Sequence, residues 1–175
     1  MTEHIWDDLL TEQDRQVIVE GGYDQRGANT WDSRGLGENP LVLVIDKSGS
    51  MSGAGSDGVA KVEMAKEAAR LSLEELETYD LAGVVAFDAA NWWLVHLENI
   101  GDESNLEGMQ KSIGTLVANG GTDIYPALVT ACQGLADAPT TRKHIVLLTD
   151  GNSQQSDYSG LLATMQEQEI TLSTI

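Results

Sequence analysis

Two stretches of the chain are apolar at consecutive positions, the pattern of a β-strand that is buried on both faces of a sheet. One runs from Leu41 to Ile45, and the other from Ile145 to Leu148 within a predicted strand over 143–149. Each run ends close to an aspartate, Asp46 or Asp150. These runs predict two central strands with a carboxylate at or just beyond the carboxyl end of each.

Between and after these strands, apolar residues recur at spacings of three and four, which predicts amphipathic helices. We expect helices over 62–76, 103–116, 124–135 and 156–168, and further strands over 81–87, 92–97 and 170–175, of which 92–97 is an antiparallel edge strand. Strands that alternate with helices predict a three-layer α/β/α Rossmann-like sandwich around a mostly parallel sheet.

The first 40 residues have a different character from the rest. Residues 1–20 show a patchy helical pattern, which Gly21 and Gly22 would end, and 21–40 are rich in glycine. We therefore predict an N-terminal helix and extended arm over 1–40, followed by one domain over 41–175.

The net charge of the chain limits the classes of molecule that it can bind. Twenty-eight acidic against ten basic residues give a net charge of −18, which argues against nucleic acids and anionic membrane surfaces. No apolar run approaches the roughly 20 residues of a membrane span, and the first residues do not resemble a signal peptide. The single Cys132 excludes an internal disulfide and leaves the cellular compartment open.

Oxygen-bearing side chains cluster at the predicted strand ends and in one glycine-rich loop. In open α/β sheets, ligands bind at the carboxyl ends of the strands. Carboxylates and hydroxyls suit Mg²⁺, Ca²⁺ or Mn²⁺ and do not suit zinc or copper. The candidate metal ligands are Asp46, Ser48, Ser50, Thr122 and Asp150.

Three motifs in order resemble a von Willebrand factor type A domain of the bacterial kind. They are Asp46-x-Ser48-x-Ser50, Gly120-Gly121-Thr122-Asp123 and Leu148-Thr149-Asp150-Gly151. The resemblance implies a metal-ion-dependent adhesion site in which the five candidate ligands hold Mg²⁺, or Mn²⁺ or Ca²⁺, directly or through water. It assigns Asp123 a supporting position or a helix cap.

The same resemblance implies a function without catalysis: the cation coordinates an Asp or Glu of a protein partner. It also leads us to expect one further strand and a closing helix beyond residue 175. Either the domain is truncated at its C-terminus, or the N-terminal segment fills some of that space. Partner, cation, parent protein, oligomeric state and compartment stay open.

Two hydrolase interpretations compete with the binding module. Residues 1–46 are similar to the entry of isochorismatase-like cysteine hydrolases, where Asp46 would be catalytic. That family also needs a lysine after a middle strand and a cysteine at a helix start. Lys111 and Cys132 both fall inside helical patterns, so the rest of the catalytic triad is not supported. A haloacid-dehalogenase-type phosphatase would use Asp46 as nucleophile with Mg²⁺ and needs a second aspartate two residues later. Ser48 occupies that position.

Overall fold

The structure is a computed structural model, and it describes residues 39–55, 58–138, 140, 142–151, 153 and 156–175. The helix and arm predicted over 1–40 lie, apart from Asn39 and Pro40, outside the described residues. The strands and helices of the described residues lie between Leu41 and Thr174.

A five-stranded sheet forms the centre of this domain, in the order β3-β2-β1-β4-β5. β1 lies in the middle and pairs in parallel with β2 and β4, and β4 pairs in parallel with β5. β3 runs antiparallel to β2 at the edge, as predicted. The strands are β1 (Leu41–Asp46), β2 (Leu81–Phe87), β3 (Asn91–Asn99), β4 (Lys143–Leu148) and β5 (Ile170–Thr174).

Within the described residues, four α-helices cover the sheet. They are α1 (Lys61–Glu74), α2 (Glu103–Gly114), α3 (Ile124–Ala136) and α4 (Ser159–Glu167), and a short 3-10 turn spans Gly49–Ser52. Across the described part of the chain, every helix is too short or too polar to cross a lipid bilayer.

Alternate residues of β1 point into two separate hydrophobic cores. Leu43 and Ile45 pack with residues of α1 and α2, whereas Val42 and Val44 pack with residues of α3 and α4 on the opposite face. All four side chains are fully buried. This explains why β1 is apolar at every position from Leu41 to Ile45, and it confirms the predicted three-layer α/β/α architecture.

The elements differ from the sequence prediction mainly at their ends. The helix expected over 103–116 stops at Gly114, and the one expected over 156–168 is confined to Ser159–Glu167. β3 is longer than the predicted 92–97, because it follows β2 through register shifts near Ala82 and Val84. Local apolar spacing does not carry this information, since the pairing of β3 depends on β2.

The indole of Trp93 on β3 lies between two glycines. A Cβ placed on Gly134 of α3 would overlap the Trp93 ring, and a Cβ on Gly83 of β2 would come within 2.8 Å of it. The same added Cβ on Gly83 would lie 3.2 Å from the Cα of Leu97. The ring therefore has no room to move from α3 towards the sheet, and helix and sheet approach each other only because both glycines lack a side chain.

We predict that Gly134→Ala lowers the free energy of unfolding by about 1–3 kcal/mol, since the added methyl group overpacks the Trp93 contact. This loss exceeds the gain of up to about 1 kcal/mol that alanine brings to a helix interior. Gly108→Ala in α2 is the matched control, because nothing lies within 4 Å of its added Cβ. Urea unfolding should show the control unchanged or stabilised, and equal stabilisation of both variants would contradict the packing argument.

Candidate metal site

The carboxyl ends of β1 and β4 bring two aspartates to the same edge of the sheet. Ile45 of β1 pairs with Leu148 of β4, so Asp46 and the segment that carries Asp150 leave the sheet side by side. After Asp46 the chain enters the Gly49–Ser52 turn, which is anchored by the buried Met51. We call this edge of the sheet, from Asp46 to the turn and across to Asp150, the rim.

Asp46 is fully buried, and both of its carboxylate oxygens accept hydrogen bonds. The backbone N–H of Ser48 donates to Oδ1 over 2.7 Å, and the Thr149 hydroxyl donates to Oδ2 over 2.7 Å. A buried carboxylate needs such partners to offset the loss of hydration. The side chain of Asp46 is thus held in one orientation, and it joins the ends of β1 and β4.

The hydroxyls of Ser48 and Ser50 continue a chain of oxygens towards Asp150. The two Oγ atoms lie 3.0 Å apart, and Ser50 Oγ donates to Asp150 Oδ1 over 3.1 Å. Around Mg²⁺, six oxygens at about 2.0–2.1 Å in octahedral geometry lie about 3 Å from their neighbours. The spacing of these oxygens therefore fits the coordination shell of such a cation.

The glycine-rich loop that carries Thr122 is attached to the rim through its backbone. Gly49 N–H donates to the Gly120 carbonyl over 3.0 Å, and Asn119 N–H donates to the Lys47 carbonyl over 2.7 Å. Gly120 has φ of +88°, and a Cβ there would press against Asp88, so glycine is required. Within the described residues, the half-buried Thr122 is not hydrogen-bonded to the other four candidates.

Asp123 takes the first position before α3, as expected of a cap, but its side chain makes no capping hydrogen bond. Instead, Ser153 Oγ accepts from the N–H of Ile124 over 3.1 Å. Asp123 Oδ1 is buried and has no hydrogen-bond partner among the described residues. The predicted supporting position is therefore compatible with the structure, whereas the predicted side-chain cap is wrong, because Asp123 accepts no hydrogen bond from the first turn of α3. A cap accepts from the second or third helical residue, and the third here is Pro126, which has no N–H.

Two lysines that the sequence patterns did not single out lie at the rim. Lys61 Nζ pairs with Asp150 Oδ2 at 3.0 Å, and Lys47 Nζ pairs with Asp88 Oδ2 at 2.6 Å. The hydrogen bond from Lys47, followed by that from the Ala90 N–H, lowers the pKa of Asp88 below its usual value. These contacts, like the Thr149 hydrogen bond, join residues that no local spacing relates.

Outside the rim, the described residues form no cluster of side chains that would bind a softer metal such as zinc. No three His, Cys, Asp or Glu side chains converge there as a ligand group. Cys132 is buried on α3, and burial raises the pKa of its thiol to about 11. His144 Nδ1 lies 2.6 Å from Thr171 Oγ1, and burial lowers its pKa. A cation at the rim would therefore depend on two carboxylates and on hydroxyl groups.

Comparison with known proteins gives one family. The profile of the von Willebrand factor type A domain matches residues 41–152. Calcium-activated chloride channel regulator 1 of Sus scrofa is 33% identical over 129 residues, 73% of this chain and 13% of the relative. An uncharacterised Synechocystis protein is 35% identical over 118 residues, 67% of this chain and 26% of the relative. The chain thus spans about a quarter or less of the length of these relatives.

A solved structure, described as von Willebrand factor type A from Catenulispora acidiphila, is similar in fold and sequence. It superposes with a TM-score of 0.65 and 28% identity, over 79% of this chain and 33% of that one. At this level of similarity, the two chains share the architecture of the central sheet and its covering helices.

We predict that Thr149→Val destabilises the fold by about 1–3 kcal/mol, because a buried oxygen of Asp46 would lose its donor. Thr115→Val is the control, since the exposed Thr115 hydroxyl donates only to the nearby Ser112 carbonyl. We expect the control to stay within about 0.5 kcal/mol of the natural chain. Chemical unfolding of both variants measures the difference, and equal effects would mean that the Asp46 contact contributes no more than an exposed hydrogen bond.

Proposed function

The chain belongs to the von Willebrand factor type A family, and on this premise we propose that it is a divalent-cation-dependent protein-binding module. Domains of this family are generally adhesion or interaction modules. In the proposed function, the cation would be Mg²⁺, or Mn²⁺ or Ca²⁺, and the partner would present an Asp or Glu side chain.

The observation that carries the proposal is the continuous line of oxygens from Ser48 to Asp150. Asp46, Ser48, Ser50, Thr122 and Asp150 would hold the cation, directly or through water. Bound there, the cation would supply a concentrated positive charge that attracts a partner's carboxylate. Ser48 and Ser50 contribute neutral oxygens, so they would leave that charge largely uncompensated.

The environment of the protein residues favours binding over hydrolysis. Cys132 is buried on the apolar side of α3, and its raised pKa of about 11 disfavours the thiolate that a cysteine hydrolase requires. The Ser48 hydroxyl at the phosphatase acid–base position has no useful acidity near neutral pH. These two features support the proposed cation site over either hydrolase.

We predict that Mg²⁺ or Mn²⁺ binds one site and raises the melting temperature of the full chain. A ligand that binds only the folded state at 100 times its Kd stabilises by about 2.7 kcal/mol. For a chain of this size, each kcal/mol corresponds to about 2–4 °C. Thermal unfolding and titration calorimetry with millimolar Mg²⁺, Mn²⁺ and Ca²⁺ measure the effect. No shift and no heat with any of the three ions would reject the proposed function.

Control substitutions at the rim and in the core show where the cation binds. Asp46→Ala and Asp150→Ala should abolish the cation-induced shift, because they remove the charges that would hold the ion. Cys132→Ala should keep it, since the thiol only packs in the core. The quantity compared is the shift with and without cation in each variant, because Asp46→Ala also weakens the fold. Loss of the shift in Cys132→Ala would place the site elsewhere.

We predict no turnover of a chromogenic phosphate ester or of N-carbamoylsarcosine by the purified protein in the presence of Mg²⁺. General acid–base catalysis typically contributes about 10²- to 10⁴-fold, and Ser48 occupies the position where a phosphatase of this type needs its second aspartate. Turnover that disappears in Asp46→Asn would overturn the binding-module proposal. Dependence of that turnover on Cys132 would then distinguish the cysteine hydrolase from the phosphatase.

A further inference from the structure

Lys61 occupies a position where a positive charge is unfavourable. It is the first residue of α1, and the amino-terminal end of a helix dipole repels cations. The backbone holds it there, since Lys61 N–H donates to the Gly53 carbonyl over 2.9 Å, beside the turn that carries Ser50. The helix dipole therefore does not stabilise the charge of Lys61, and the stabilising partner lies across the rim.

That partner is Asp150, whose two carboxylate oxygens accept hydrogen bonds from different residues. Oδ2 accepts from Lys61 Nζ over 3.0 Å, while Oδ1 accepts from Ser50 Oγ over 3.1 Å. The Asp150 side chain is only 5% exposed, whereas that of Lys61 is 40% exposed. The ammonium group thus reaches in from the solvent side and pairs with a sheltered carboxylate at the end of the oxygen line.

This pair changes the charge that a divalent cation would meet. Of the two candidate carboxylate ligands, Asp46 is satisfied by neutral donors, and Asp150 is paired with an ammonium group. The net charge of Asp46, Asp150 and Lys61 together is −1 instead of −2. Because Asp150 is sheltered, salt screens its interactions less than those of exposed charges. A cation drawn to Asp150 would meet the ammonium group at the same carboxyl group.

We propose that Lys61 is a tethered competitor that weakens divalent-cation binding at the rim by occupying Asp150. This inference rests on the proposed function and concerns its regulation. The exposed lysine stem leaves the ammonium group free to move into water when a cation binds, so the competition is reversible. The rim therefore binds the cation more weakly than its oxygens alone would allow, and added negative charge from a partner's carboxylate strengthens the binding.

The test is titration calorimetry of the full chain with Mn²⁺ and with Mg²⁺. We expect Lys61→Met and Lys61→Gln to bind about five-fold more tightly or better than the natural chain, since each removes the competing charge. Lys61→Arg keeps the charge and should stay within about two-fold of the natural chain. Glutamine retains a hydrogen-bond donor, so its agreement with methionine assigns the effect to charge.

Arg70→Met is the matched control for net charge. Arg70 lies on the same helix and pairs with Glu67 at 3.3 Å, and both side chains are about half exposed. The substitution makes the same change in total charge without touching the rim. Its affinity for Mn²⁺ should equal that of the natural chain, so a difference between the two variants isolates the Asp150 contact.

A second measurement separates competition from a structural role. Without added cation, Lys61→Met should melt at a lower temperature than the natural chain, because the Asp150 carboxylate loses its ion pair with the ammonium group. With saturating Mn²⁺ this deficit should vanish or reverse, since the cation then compensates Asp150 in the variant. A deficit of the same size with and without Mn²⁺ would overturn the inference.

The remaining outcomes are also decisive. Unchanged or weaker cation binding in Lys61→Met and Lys61→Gln, with binding in the natural chain, rejects the competition and leaves the proposed function standing. Equal tightening by Arg70→Met rejects it as well. Binding by Lys61→Met alone supports the competition and rejects cation dependence of the natural chain. No binding by any variant rejects both proposals.

Discussion

The buried carboxylate of Asp46 and its two hydrogen bonds are the contact on which the rim depends. A fully buried charge is costly unless it is hydrogen-bonded, and here the donors come from the Ser48 backbone and the Thr149 side chain. The first donor fixes how the chain leaves β1, and the second ties that exit to the end of β4. Ser50 can reach Asp150 only because the turn begins in this fixed direction.

Much of this arrangement is encoded locally. Consecutive apolar residues identified β1 and β4, because the central positions of a strand with a core on each face are all apolar. The candidate ligands Asp46, Ser48 and Ser50 followed from their place after a strand. The long-range contacts could not be predicted in this way. Lys61 and Asp150 are 89 residues apart, and their contact exists only because the sheet places β1 next to β4. Asp123 shows the same limit, since it lies at the cap position before α3 without making the side-chain contact that its local pattern favoured, while Ser153 from a distant part of the chain accepts from Ile124 N–H.

The chain as a whole is strongly acidic, whereas lysines neutralise part of the negative charge at the rim. The chain carries −18 overall, with ten basic residues in total. Two of these ten, Lys47 and Lys61, lie at the rim and pair with Asp88 and Asp150. The surface as a whole repels acidic proteins, whereas the rim compensates part of its own negative charge. The acidic partner proposed above would therefore depend on the positive charge of a cation bound at the rim rather than on the mean field of the domain.

The spacing of the aspartates is set by a ladder of backbone hydrogen bonds rather than by the chain that connects them. Asp46 and Thr149 are 103 residues apart in sequence yet share a 2.7 Å hydrogen bond, because β1 and β4 are neighbours in the sheet. Among its described residues, the connecting polypeptide contacts the rim through Lys61, Asp88 and the backbone of Asn119 and Gly120. Loops elsewhere in that stretch can lengthen, shorten or be exchanged without moving the two strand ends. A segment grafted onto a loop remote from the rim would leave the pairing of β1 with β4, and with it the geometry at the sheet edge, in place.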